Sequence, residues 1–116
     1  MPGEQTKLGK IEISPAAVAA LASQSVLTCY GVVGMSSPSL RYGLAEILGR
    51  ENYRRGVQAR LVDEEIVIDL YVVLEYGTRI SEVAQNIMHN VRYAVEHALG
   101  IPVAGVNVHV QGLRVS

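Results

Sequence analysis

Val57-Gln58-Ala59-Arg60-Leu61-Val62-Asp63-Glu64-Glu65-Ile66-Val67-Ile68-Asp69-Leu70-Tyr71-Val72 is the stretch on which the fold turns. Apolar Val57, Ala59 and Leu61 alternate with Gln58 and Arg60, and after Asp63-Glu64 the alternation resumes at Ile66, Ile68, Leu70, Val72 and Leu74. Alternation with a period of two marks half-buried strands, and the polar pair between them marks a hairpin. Both apolar sets reach one face only if the loop has an even length. A two-residue loop places Leu61 opposite Ile66, Ala59 opposite Ile68 and Val57 opposite Leu70. The other face then carries Gln58, Arg60, Asp69, Tyr71 and Glu75, with Arg60 diagonal to Asp69 and to Glu65, an attractive arrangement of charge.

Towards the C-terminus, Gly77-Thr78 breaks the strand, and Ile80, Val83, Ala84, Ile87, Val91, Ala94, Val95, Ala98 and Leu99 follow at helical spacing. Thr78 and Ser81 are candidate caps, Gly100 suits the residue after the helix, and Pro102 prevents continuation. Val106, Val108 and Val110 then alternate with Asn107, His109 and Gln111 as a last strand. Towards the N-terminus, Lys10-Ile11-Glu12-Ile13 reads as a strand with Ile11 and Ile13 inward. Ser14-Pro15 reads as an N-cap followed by proline in the first turn, opening a helix to about Thr28 with Val18, Leu21, Ala22 and Val26 inward. Tyr30 to Met35 is a short strand candidate whose glycines point to a bulge. Leu40, Leu44, Ile47 and Leu48 predict a short helix over 39–48 that Gly49 ends. Arg50-Glu51-Asn52-Tyr53-Arg54-Arg55-Gly56 reads as an exposed loop, and 1–7 as a frayed tail. The sum is one domain over 8–116, an α+β two-layer sandwich: one small mixed or antiparallel sheet with two main amphipathic helices on one face.

The chain has 116 residues, 49% hydrophobic and 18% charged, which is the make-up of a folded domain and excludes disorder. Ten Lys plus Arg against eleven Asp plus Glu give a formal charge of −1, so the broad basic field of a nucleic-acid binder is absent. A single Cys forms no internal disulfide, which predicts a reducing, cytoplasmic setting. No apolar run approaches the roughly 20 residues that span a bilayer, so no direct insertion is expected.

Chemistry-bearing residues are few. His89, Tyr93 and His97 share one side of the long helix, but at ~1.5 Å per residue the two histidines start about 12 Å apart, too far to bind one metal ion. His109 lies beside Asn107 and Gln111 on the face that also carries Asp69 and Tyr71, so a polar cluster forms there if those strands are neighbours. Gly34-Met35-Ser36-Ser37-Pro38 fails as a nucleophile elbow, because Pro38 stands where that motif needs glycine. Cys29 is assigned to packing. No glycine-rich phosphate-binding motif occurs. No catalytic residue, cofactor or metal is therefore assigned, and no enzyme is expected. The partner-binding candidates are Arg50, Tyr53, Arg54 and Arg55, where three of the ten positive charges and an aromatic ring fall within six residues. A protein partner is the first reading of this loop. RNA or a small anionic ligand is the alternative, through phosphate contacts and stacking on Tyr53.

Taken together, Gly9-Lys10-Ile11-Glu12-Ile13-Ser14, Gly31-Val32-Val33-Gly34-Met35, Ile66-Val67-Ile68-Asp69-Leu70-Tyr71-Val72, Tyr76-Gly77-Thr78-Arg79-Ile80, Val91-Arg92-Tyr93-Ala94-Val95-Glu96 and Val106-Asn107-Val108-His109-Val110 resemble the alkaline shock protein family of bacterial envelope stress response proteins. The resemblance covers nearly the whole chain. It implies a non-catalytic cytoplasmic scaffold or adaptor in cell-envelope homeostasis that self-associates as a homo-oligomer. For some members of that family it also implies recruitment to the inner face of the membrane by a membrane-anchored partner. It brings no catalytic residues and no cofactor.

Overall fold

The computed structural model describes residues 3–5, 10–38, 47–48 and 50–115. The hairpin at its centre joins β5 (Val57–Val62) to β6 (Glu65–Glu75), with Leu61 opposite Ile66, Ala59 opposite Ile68 and Val57 opposite Leu70, the register expected from the alternation. Asp63 and Glu64 adopt φ of 51° and 66°. Left-handed backbone at both central residues is what a type I′ hairpin turn requires, since its twist matches that of the flanking strands.

β6 runs eleven residues through the middle of a five-stranded mixed sheet. One edge pairs with β5 along its first half and with β3 (Val32–Ser36) near its end, both antiparallel. The opposite edge pairs in parallel with β7 (Val103–Arg114), which is longer at both ends than the Val106 to Gln111 expected from the sequence. The parallel partner is reached through α2 (Ile80–Leu99), because two parallel strands need a crossover that carries the chain back to its starting end.

α1 (Pro15–Leu27) starts as anticipated: the Ser14 hydroxyl accepts from the Ala17 N–H at 3.1 Å, with Pro15 in the first turn. Val18, Ala22 and Val26 are buried and Leu21 is half-buried against the core. α2 differs at its start. Arg79 occupies the cap position with no side-chain cap, and the Thr78 hydroxyl donates instead to the Glu75 carbonyl at 2.7 Å. Its far end stops at Gly100 with φ of 68°. Both helices lie on one sheet face, where Val83, Ile87, Val91 and Val95 of α2 meet Ile66, Ile68, Leu70, Val72 and Leu74 of β6. Each such side chain stabilises by about 1.5–3 kcal/mol when fully buried, so this layer carries the fold. The α+β two-layer sandwich expected from the sequence is the observed architecture.

Four further expectations need adjustment. The segment read as a tail contains β1 (Gly3–Gln5), which pairs antiparallel with β2 (Lys10–Glu12) in a separate two-stranded sheet. β2 therefore finds its partner in the preceding residues rather than in the main sheet. The strand from Tyr30 starts later, at Val32, because Gly31 takes φ of 88° and bends the chain into it. A Cβ on Gly31 would stand 2.9 Å from Val83 Cγ2, so the absence of a side chain lets this turn press against α2. The short helix expected over 39–48 lies outside the described residues except at its end, where Ile47–Leu48 forms a strand, β4, paired with Met35 and Ser36. The basic loop, finally, is a 3-10 helix over Arg50–Gly56, and Tyr53 within it is only 5% exposed.

Candidate functional site

The sheet face opposite α1 and α2 brings together residues from three strands. In β6, side chains alternate, so Val67, Asp69, Tyr71 and Glu75 point away from the helices. Register then sets their neighbours: Gln58, Asp69 and Asn107 form one row across β5, β6 and β7, and Tyr71 stands beside His109.

Asp69 is the centre of the arrangement. Its carboxylate is buried, and it accepts four hydrogen bonds. Arg60 donates from Nε at 3.2 Å and from Nη2 at 3.0 Å to Oδ2; Asn107 Nδ2 donates to Oδ1 at 3.1 Å. His109 Nε2 lies 3.1 Å from the same Oδ1 and donates its hydrogen, since an ionised carboxylate offers none. The His109 ring stacks on Tyr71 with centroids 4.6 Å apart and planes 11° from parallel, and the Tyr71 hydroxyl donates to Gln58 Oε1 at 3.4 Å. Burial pushes the Asp69 carboxyl upward. The hydrogen bonds from His109, Asn107 and Arg60, with the Arg60 charge, outweigh that and hold it below its ordinary value. The partners remain accessible: the side chains of Arg60 and His109 are 58% and 47% exposed.

Asp69 itself serves as an anchor rather than as a general base. A general base needs a free lone pair and a pKa near the working pH, whereas Asp69 is held ionised with both oxygens occupied. What the network does is hold an arginine, an imidazole and a phenol ring side by side on adjacent strands, the two rings stacked face to face.

The residues singled out in the sequence fall in three places. The polar cluster around His109, Asp69 and Tyr71 is assembled, because β6 and β7 are neighbours; Arg60 sits diagonal to Asp69, as the hairpin register requires. Arg54 and Arg55 are exposed on the 3-10 helix, apart from that network, whereas Tyr53 packs in the core with Val57 and Met35 and offers no ring for a base to stack on. The side chain of Arg50 lies outside the described residues. His89 and His97 are on the exposed side of α2, where His97 stacks with Tyr93 at 4.0 Å between centroids. Cys29 is buried, its sulfur receiving Asn90 Nδ2 at 3.4 Å.

One arrangement was not anticipated. Arg92 Nη1 donates to the Val103 carbonyl at 2.7 Å, and the Val103 N–H donates to Glu96 Oε2 at 2.8 Å. The signal was the i, i+4 spacing of Arg92 and Glu96, one turn apart on the helix side nearest the returning strand.

Compared with known proteins, residues 3–115 match a family model described as the ASP23 family, cell envelope-related function. The chain belongs to the ASP23 family. Its relatives include the uncharacterized protein YloU of Bacillus subtilis, 47% identical over 113 residues that cover 97% of this chain and 94% of that one. A second, Spy1614 of Streptococcus pyogenes, also uncharacterized, is 40% identical over 95% of this chain and 92% of its own. A third, the uncharacterized YqhY of Bacillus subtilis, is 31% identical over 98% and 84%. No solved structure gives a significant match. Among the described residues no helix is long and apolar enough to cross a membrane.

Proposed function

We propose that this chain is a non-catalytic adaptor of the bacterial envelope stress response. It acts on the cytoplasmic side, associates with its own copies and is held at the membrane by a membrane-anchored protein partner. The observation that carries this reading is the Asp69 network. It presents Arg60, His109, Asn107 and Tyr71 as a fixed, partly exposed plate on the sheet face opposite α1 and α2. Pre-ordered polar and aromatic groups lower the entropy lost on association, which suits a protein surface as ligand. The family's envelope-related role supports the setting, and the resemblance to alkaline shock proteins supports the stress response. Arg54 and Arg55 add exposed positive charge outside the plate, suited to an acidic protein surface.

The test is fractionation of native cells carrying the tagged chain. The wild type is expected in the membrane pellet and is released when surface proteins are digested. Tyr71→Ala/His109→Ala moves to the supernatant while keeping a cooperative thermal transition. A wild type found only in the supernatant contradicts the reading.

A further inference from the structure

β7 is a twelve-residue strand that pairs with β6 along one edge only; among the described residues no strand pairs with the other. Among the described residues, hydrogen bonds from α2 close the start of that open edge. At Val103 both backbone groups are taken by α2, the carbonyl by Arg92 and the N–H by Glu96. From Ala104 to Leu113 the strand contains no Lys, Arg, Asp, Glu or Pro, the residues with which sheet edges ordinarily discourage pairing. Register shifts bracket the stretch, one between its pairings to Ile66 and Val67 and one between those to Val72 and Val73, so Gly105 to Val110 is left as a regular unprotected segment.

We infer that this segment is the interface for a second copy of the chain, the two β7 strands pairing antiparallel about a two-fold axis at Val108. In such a pair, residues directly opposite face the same side, so one residue must stand opposite itself. Centring on Val108 sets Val106 opposite Val110 of the second copy on the apolar side and Asn107 opposite His109 of the second copy on the polar side. Val110, 37% exposed at the end of the apolar side, is thereby covered. Centring on His109 would instead oppose two imidazoles, and centring on Asn107 would set Val110 against Ala104, beyond the register shift. The chosen pairing also joins the two Asp69 networks across one continuous sheet face. The inference rests on the self-association in the proposed function and assigns it a surface.

Light scattering after size exclusion, run over a concentration series, tests it. The wild type is expected as a dimer, and Val110→Lys, which places a charge on the edge, is expected to raise the dimer dissociation constant at least about tenfold while keeping a cooperative thermal transition. Oxidation supplies a readout independent of that variant's folding. With Cys29→Ala, Val108→Cys is expected to give a disulfide-linked dimer. Val106→Cys does not, because its thiols stand four residues out of register, about 13 Å apart. A dimer that survives Val110→Lys, or that shows no cross-link from position 108, overturns the interface and leaves self-association standing. A wild type that is monomeric throughout overturns both.

Discussion

The two faces of β6 are built from opposite materials. Towards the helices, Ile66, Ile68, Leu70, Val72 and Leu74 are buried in an unbroken apolar row. On the other side Asp69 is buried as well, yet what surrounds it is an arginine, an asparagine and a histidine. The first face holds by area removed from water, which is non-directional and needs only residues of the right kind at alternate positions. The second holds by directed hydrogen bonds and fails if one strand shifts by a residue. One strand therefore supplies the stability of the domain and the definition of its surface from alternate positions.

The largest expected effect breaks the first face. Ile68→Asp puts an unpaired carboxylate among fully buried side chains, at several kcal/mol against a total stability of about 5–15. Circular dichroism during heating is expected to show no cooperative transition; a cooperatively melting variant would mean that the faces are assigned the wrong way round.

Asp69→Asn probes the other face and is expected to be smaller, about 1–3 kcal/mol, since the charged acceptor is lost while its partners keep access to water. Acid separates this contribution from the rest. The folded carboxyl titrates below its unfolded value, so its stabilisation is present above the ordinary carboxylate range and is lost as the pH falls through the lowered folded value. The gap in melting temperature between wild type and Asp69→Asn is therefore widest near neutral pH and narrows below about pH 4. A gap independent of pH would show that the charge of Asp69 is not what the network uses.

Legibility in the sequence followed the same division. The hairpin register was readable residue by residue, because period-two alternation and an even loop leave one alignment. Both main helices were readable from apolar spacing. The network's residues were readable as a type and a face, and Arg60 with Asp69 as a diagonal pair, but the joining of Asn107 and His109 to them depends on β7 lying parallel beside β6. No local pattern records that: neighbour order is decided by how α2 packs back on the sheet. Tyr53 was misread for a related reason. A tyrosine among arginines has no apolar periodicity, yet the 3-10 turn over Arg50–Gly56 directs its ring into the core while Arg54 and Arg55 stay outside. Gly56 permits the close pass, since a Cβ there would lie 2.9 Å from the Ser36 carbonyl.

That split within one short turn leads to the smallest expected effect. Arg60 and the pair Arg54 and Arg55 are all exposed cations, but Arg60 forms a two-pronged bond with a buried carboxylate. Arg60→Ala is expected to destabilise by up to about 1 kcal/mol, the upper end for a largely solvated ion pair. Arg54→Ala/Arg55→Ala is expected to leave stability within about 0.5 kcal/mol of the wild type, as for surface substitutions away from specific contacts. Chemical denaturation of the three proteins side by side resolves the order, and binding to the proposed membrane-anchored partner supplies the other axis. Loss of Arg54 and Arg55 is expected to weaken that binding and flatten its salt dependence, because rim charges act mainly on encounter. If the double variant unfolds early but binds undiminished, the two arginines support the 3-10 turn that buries Tyr53, and recognition belongs to the Asp69 face alone.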